Sequence, residues 1–344
     1  MPVETRKVLD DEAGMRLDRW FKTHFPTLPF GHLQKLLRTG QVRVDGGRVK
    51  TDARLKPGQR VRVPPLNPSP ARGGSEKETA GSVARGAPRS VRGRDRSDAE
   101  FLKSITLFED REVLVLNKPM GLAVQGGSGT VRHIDGMLEA LRGKDGVKPR
   151  LVHRLDKDTS GVLLVAKTRL AAAALAKTFR SRSARKTYWA LVPGVPKPKQ
   201  GRISTFLAKG GGPEGELMRV AKHGEEDAAH AVTYYAVVDN AAQKLSWLSL
   251  KPVTGRTHQL RAHLAHIGHP IVGDDKYFDI ENWELPGGMQ NKLHLLARRL
   301  VIPHPSGKGT IDVTAPLPPH MRQTWSLIGF DDKLYDPIVD APEE

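Results

Sequence analysis

The run His153-Arg154-Leu155-Asp156-Lys157-Asp158-Thr159-Ser160-Gly161 sets two carboxylates among cations and leads into the apolar stretch Val162-Leu163-Leu164-Val165-Ala166. Arg154 and Lys157 would keep at least one carboxylate ionised even if partly buried, because a nearby positive charge favours the charged form. A polar loop that closes on a glycine and enters a buried strand can hold such a side chain rigidly at a sheet edge. Three readings stay open here: a rigidly held catalytic carboxylate, a glycosidase-like carboxylate pair, or a turn with a surface ion pair, which composition alone favours. The same tripeptide recurs at Arg16-Leu17-Asp18, inside an amphipathic helical pattern, where Asp18 makes a poor catalyst. A second constellation is Thr254-Gly255-Arg256-Thr257-His258-Gln259-Leu260-Arg261. Arg256 falls at a strand-to-helix corner, from which a guanidinium can reach a phosphate or a buried carboxylate bidentately. A third is Lys186-Thr187-Tyr188-Trp189-Ala190, whose tyrosine could stack on an extruded base or simply pack in the core with its hydroxyl satisfied. His258, His263, His266 and His269 suggest a metal at first sight. Steps of three residues wind the last three around a helix axis, and no Cys or Glu completes a ligand set, so no metal site is expected.

These groups need elements to hold them. Short strands are expected at Val113–Leu116, Val162–Ala166, Trp189–Val192, Val232–Val238 and Leu245–Leu250, with helices at Leu170–Phe179 and His258–Ile267. Strands outnumber helices, so a mixed α/β or α+β sheet is expected rather than strict βαβ alternation. Residues 1–65 form a small unit: Leu17, Trp20, Phe21 and Phe25 recur at helical spacing, and Leu33, Leu36 and Leu37 mark a second helix that Gly40 can end. Val42 and Val44 then alternate into the turn Asp45-Gly46-Gly47, and Val49, Val61 and Val63 point to further strands. Arg19, Lys22, Lys35, Arg38, Arg43 and Arg48 lie between the apolar positions and would form one exposed basic surface that tracks phosphates. Residues 66–100 hold 18 Gly, Ser, Pro or Ala in 35 positions and read as a flexible linker, because so little apolar surface cannot offset ordering entropy. The catalytic domain is expected over 101–330, with a C-terminal tail at 331–344.

Composition narrows the partner. Lys and Arg number 55 against 38 Asp and Glu, a formal charge of +17, which concentrates polyanions near the surface. No apolar run approaches the length of a membrane span, so RNA or DNA is favoured over an anionic membrane. The chain has no cysteine, which excludes disulfides and thiolate chemistry. The N-terminal Met1-Pro2-Val3-Glu4-Thr5 lacks a charged-then-apolar signal, and a reducing cytoplasm is the simplest address.

Taken together, the motifs resemble the large pseudouridine synthase family that includes the bacterial large-subunit ribosomal RNA enzymes. The matching runs are Val115-Leu116-Asn117-Lys118-Pro119-Met120-Gly121-Leu122, His153 to Gly161, Lys186-Thr187-Tyr188, and Thr254 to Arg261. Weaker echoes follow at Leu293-His294, His304-Pro305 and Ala315-Pro316-Leu317-Pro318, and Gln125 departs from the histidine many relatives carry before the glycines. The resemblance spans about 101 to 325 and implies an α+β fold with a mixed, largely antiparallel sheet and flanking helices. The N-terminal unit is similar to the small α/β RNA-binding domain of ribosomal protein S-four. That pairing is similar to the C-type and D-type large-subunit enzymes and unlike the A-type; the stretch Phe30–Lys50 leans to C. By resemblance Asp156 is the catalytic aspartate and Asp158 a turn residue. Tyr188 is the active-site tyrosine, Arg256 the arginine paired with the aspartate, and Arg154 the arginine that displaces the target base. His153 and Lys118, in the same runs, are expected to contact the substrate.

The implied reaction breaks the N1–C1′ bond of a uridine, turns the uracil and joins its C5 to C1′. No redox change or net transfer occurs, so no cofactor is called for. The carboxylate could act through a glycal or by direct attack. Lifting the base from its helix costs a few kcal/mol. Structured RNA, above all large-subunit ribosomal RNA, is the expected partner of a monomer. Two rival readings stand beside this one: a non-catalytic RNA-binding or ribosome-assembly protein, and a nucleoside or glycoside hydrolase using Asp158 as its second carboxylate.

Overall fold

The computed structural model describes residues 4–65 apart from 26, 27 and 29, and residues 91–342 apart from 128, 129, 131, 144, 145, 211–216 and 282. It divides into two compact units, residues 1–85 and 86–344.

In the first unit, β1 (Glu4–Lys7), α1 (Leu17–His24), α2 (Phe30–Arg38), β2 (Arg43–Val44) and β3 (Arg60–Val63) build a three-stranded antiparallel sheet of order β1-β3-β2 beside two helices. The helical spacing of Leu17, Trp20 and Phe21, and of Leu33, Leu36 and Leu37, puts all six in one core with Val42, Leu55 and Val61. Trp20 carries its polar edge inward and donates Nε1–H to the buried Glu12 at 3.0 Å. The strand pattern misses β1, whose residues are mostly charged, and Val49 lies outside any strand.

In the second unit the chain runs α3 (Val91–Ser104), β4 (Thr106–Glu109), β5 (Val113–Lys118), α4 (Ile134–Met137), β6 (Arg150–Leu151) and β7 (Ser160–Ala166). It continues through α5 (Arg169–Arg180), β8 (Arg185–Pro193), β9 (Gln200–Lys209), β10 (Met218–Ala221), β11 (Ala229–Ala241) and β12 (Leu245–Pro252). Last come α6 (Gln259–His266), β13 (Leu295–Pro303), β14 (Thr310–Thr314) and α7 (Pro319–Ile328). Eleven strands form one sheet of order β10-β9-β11-β12-β8-β13-β7-β5-β4, with β14 on β13 and β6 on β7. Every pair is antiparallel except β13 with β7, so the sheet is mixed and largely antiparallel. The apolar runs that mark β7 and β8 in the sequence are long because these strands lie inside the sheet and are covered. The parallel step is tight. Gly161, at φ +111, packs so closely on β13 that a Cβ there would collide with the Ala297 carbonyl oxygen.

Two boundaries differ from the sequence reading. The linker read over 66–100 gives way to helix at Val91, and α3 sends Phe101 and Leu102 into the core beside Leu114 and Leu116. The rest of that stretch lies outside the described residues. The segment 331–344 is not a loose tail through residue 342. Asp336 accepts hydrogen bonds from Trp189 Nε1 at 3.0 Å and Ser249 Oγ at 2.7 Å, and Ile338 is buried against Val232, Tyr234 and Ala236. The short apolar pair Ile338-Val339 gives little signal, because the partners of Ile338 come from a strand about a hundred residues away.

Candidate active site

The loop between β6 and β7 that carries Asp156 is fastened from behind by a lysine. Lys118, the last residue of β5, is fully buried, and its Nζ donates to the carbonyl oxygens of Pro119 (3.0 Å), Leu122 (2.8 Å) and Lys157 (2.8 Å). The Gly121 N–H adds a bond to the same Lys157 carbonyl at 3.0 Å. An ammonium has three donors and all three are used on main chain. Burial pushes Lys118 down to about 7, against the opposing charges of Asp158 and Asp156. The sequence reading puts Lys118 against substrate; the structure makes it a clamp joining the Asn-Lys-Pro-Met-Gly turn to the Asp156 loop. His153 also lies off the cavities that Asp156 lines. Its Nε2 accepts the Leu164 N–H at 2.8 Å, its ring stacks on Phe179 at 4.8 Å, and burial, then the charge of Lys186, hold its pKa down to about 3. A neutral ring with Nε2 accepting carries its proton on Nδ1 and supports β7 rather than substrate.

Asp156 itself is half-buried and lines two adjoining cavities. The smaller, about 110 Å³, is walled by Arg154, Tyr188, Arg256 and Leu295 among others. The larger, about 400 Å³, reaches Gln125, Gly126 and Asp158. Both share Arg154, Asp156, His258 and Arg261. Tyr188 sits in β8 between Leu250 of β12 and Ala297 of β13, so its backbone is fixed on both sides. Burial, and then the charge of Asp156, hold its phenol well above the ordinary range, so it stays protonated. Arg154 is exposed at the rim of both cavities. The structure therefore brings Asp156, Tyr188, Arg154 and Arg256 to one cleft.

It does not pair Arg256 with Asp156. The corner 254–259 is locked to β11: Thr254 Oγ1 accepts the Val232 N–H at 3.0 Å, and Gln259 Nε2 donates to the Val232 carbonyl at 2.9 Å. Arg256 emerges from this corner exposed, its Nε donating to the His230 carbonyl at 3.2 Å. The buried guanidinium is Arg261, one turn into α6. It grips Asp274 bidentately at 2.8 and 2.5 Å and reaches Asp275 at 3.1 Å. Burial opposes its charge, but the hydrogen bond and charge of Asp274, with the charge of Asp156 added, leave its pKa raised. Among the described residues neither arginine forms an ion pair with Asp156. Arg261 is the cation that shares a buried wall with that carboxylate, and the sequence reading passes over it. A signal was present, since Arg261 is flanked by Leu260 and Ala262 on a helix and followed by Asp274-Asp275; a charge embedded so needs a partner.

His258, the N-cap of α6, holds a left-handed backbone with φ 49. Tyr277 Oη accepts the Met218 N–H at 2.7 Å and lies 3.1 Å from His258 Nδ1. Burial comes first in lowering the His258 pKa, with Asp156 acting the other way. Of the other histidines here, His263 bridges Thr205 and Thr233 at 3.0 and 2.9 Å, and His269, beyond α6, bonds the Pro193 carbonyl at 2.8 Å, while His266 is exposed.

In the N-terminal unit, Arg19, Lys22, Lys35, Arg38 and Arg48 are exposed. Lys35 and Arg38 line one groove with Lys50, a residue absent from the sequence reading of this surface. Arg43 is partly committed to the turn it follows, donating to the carbonyls of Gly40 and Gly46 at 3.1 Å.

Residues 112–266 match the family model described as RNA pseudouridylate synthase. Ribosomal large subunit pseudouridine synthase C of Pasteurella multocida is 38% identical over 93% of this chain and 92% of its own length. The protein of that name from Escherichia coli K12 is 36% identical over 89% and 91%. Among solved structures, human RNA pseudouridylate synthase domain containing 4 matches with a TM-score of 0.58 and 28% identity, covering 70% of this chain and 98% of its own.

Proposed function

The chain belongs to the RNA pseudouridylate synthase family, and on that footing we propose that it isomerises chosen uridines of large-subunit ribosomal RNA with Asp156 as the catalytic carboxylate. The observation that carries this is the cleft in which Asp156, Tyr188, Arg154 and Arg261 meet. In it a carboxylate lies beside a neutral phenol and a buried guanidinium already neutralised in part by Asp274. Fixed dipoles and charges of this kind act strongly where water is excluded. Arg261, in place of Arg256, is the buried cation that faces Asp156 in the cleft. Tyr188 offers a ring for the turned-out base, and Arg154 at the rim can enter the gap the base leaves in its helix. C-type specificity is favoured because the relatives named above match over both units of the chain. The exposed basic groove of the first unit suits the phosphates of structured RNA. A reducing cytoplasm and a monomeric enzyme remain part of the proposal; no described helix is long and apolar enough to cross a membrane.

The deciding experiment is tritium release from ribosomal RNA labelled at C5 of uridine. The wild type should release tritium, and Asp156→Asn should release none while still binding the RNA. Retained turnover in Asp156→Asn together with its loss in Asp158→Asn would move the role to the second aspartate. Free uracil would mark a hydrolase, and binding without either product a non-catalytic protein.

A further inference from the structure

Few of the side chains that line the smaller cavity with Asp156 can take up a proton. Arg154, Arg256 and Arg261 are guanidinium ions. Lys186 is still an ammonium at neutral pH, although burial and then the charge of Arg182 push it down to about 8, and the Tyr188 phenol keeps its own proton. That leaves the carboxylate and His258. The histidine is buried and lines both cavities. Its Nδ1 lies 3.1 Å from Tyr277 Oη, while its Nε2 has no hydrogen-bond partner among the described residues. Tyr277 is a fixed partner, since Oη accepts the Met218 N–H and the Tyr277 N–H bonds Asp274 at 3.1 Å. Burial lowers the His258 pKa from the ordinary 6.5 against the charge of Asp156, so the ring is neutral at neutral pH. The left-handed backbone at φ 49 adds local strain, of the kind that gathers at active sites.

We propose that His258 is a second catalytic residue, the base that removes the C5 proton once the uracil has been rejoined to the ribose. This rests on the reading of the cleft as a uridine site. When C5 has bonded to C1′, C5 still carries its hydrogen and C6 is double-bonded to N1. Both routes open to the carboxylate, glycal and direct attack, arrive at this species. Nε2 takes the hydrogen as a proton, and the C5–H electron pair forms C5=C6. The C6=N1 pair passes to N1, which takes a proton from water, and the imidazolium returns its own to solvent. No further reactant is consumed. A neutral imidazole donates through one nitrogen and accepts through the other, and Nδ1–H on Tyr277 Oη leaves Nε2 as the acceptor. C5 is then one bond from the C1′ on which Asp156 acts, so its proton lies beside the wall that Asp156 and His258 share. The carboxylate is left to work at the sugar.

His258→Gly tests this, because glycine suits φ 49 and is accepted at a helix N-cap, so α6 should survive. The substrate is a transcript of large-subunit ribosomal RNA whose uridines carry hydrogen or deuterium at C5, turned over once by saturating enzyme. The variant should form pseudouridine roughly 100- to 10,000-fold more slowly, the reach of general-base catalysis. Its C5 isotope effect should exceed that of the wild type, because loss of that proton now limits the rate. A ring that only braced the cleft would slow the earlier bond cleavage and leave the isotope effect where it was. Turnover within a few-fold of wild type, or slow turnover with an unchanged isotope effect, would overturn the assignment. If the glycine variant melts early, His258→Asn, whose side chain tolerates φ 49 and caps helices, is judged by the same isotope effect. A wild type that makes no pseudouridine would sink the reading of the cleft and the base with it; an active wild type with an unaffected variant would sink the base alone.

Discussion

Arg256 and Arg261 lie five positions apart in one motif and carry the same charge, yet their surroundings give them different work. Arg256 is solvent-exposed and spends its Nε on a backbone carbonyl; Arg261 is buried and bidentate on Asp274. A point-charge ammonium cannot reproduce the fork. Arg261→Lys should therefore lower single-turnover pseudouridine formation by roughly 100-fold or more, the scale of losing a preorganised electrostatic group. Arg256→Lys should stay within a few-fold of wild type in the same assay. The reverse order would restore Arg256 as the partner of Asp156.

Elements decide how rigidly these residues stand. The loop bearing Asp156 is held at Lys157 by Lys118 and, just beyond, by the parallel step of β7 onto β13. Gly161→Ala would force a Cβ onto the Ala297 carbonyl from a left-handed backbone, so β7 and β13 would have to part. The expected cost is about 3 kcal/mol or more, by overpacking and strain together, read as a lowered denaturant midpoint. A midpoint unchanged from wild type would mean that β7 and β13 do not approach as described. Histidines also tie elements together. His263 joins α6 to β9 and β11, and His294 reaches Thr324 of α7 at 2.9 Å. Burial first, then neighbouring histidines, holds each at about 4. Below the ordinary value of 6.5 the unfolded chain takes up protons that the fold refuses. Stability is thus full above about pH 6.5 and lost as pH falls towards 4, by about 3 kcal/mol per histidine. Denaturant midpoints at about pH 7 and about pH 4.5 check this, on either side of most of that window; an equal pair would contradict it.

For the whole molecule the division of labour is the testable point. The first unit has its own core, and the cleft is built wholly from residues beyond 120. Removing residues 1–70 should leave the saturating single-turnover rate little changed. It should weaken binding to ribosomal RNA at low salt and flatten the salt dependence, by roughly 0.7–0.9 in slope for each phosphate the small unit had neutralised. A collapse of the saturating rate would show that the small unit helps to form the active site. An unchanged slope would mean that the groove of Lys35, Arg38 and Lys50 does not touch RNA.

Sequence by itself was enough for the family, the strands β5, β7, β8, β11 and β12, the helices α5 and α6, and the gathering of Asp156 with Tyr188. Those features rest on local periodicity or on short motifs whose residue types are tightly constrained. Tertiary structure alone decided the work of the charged and polar residues inside those motifs. Lys118 became a clamp because Leu122 and Lys157 bring carbonyls to its one buried amine. His153 turned to support β7, and Asp336 became an anchor for Trp189 and Ser249. Arg261 found Asp274 only once the chain had folded back past α6. A side chain's charge is written in the sequence, but the partner that spends it depends on which distant backbone arrives beside it, and burial then sets what that pairing is worth.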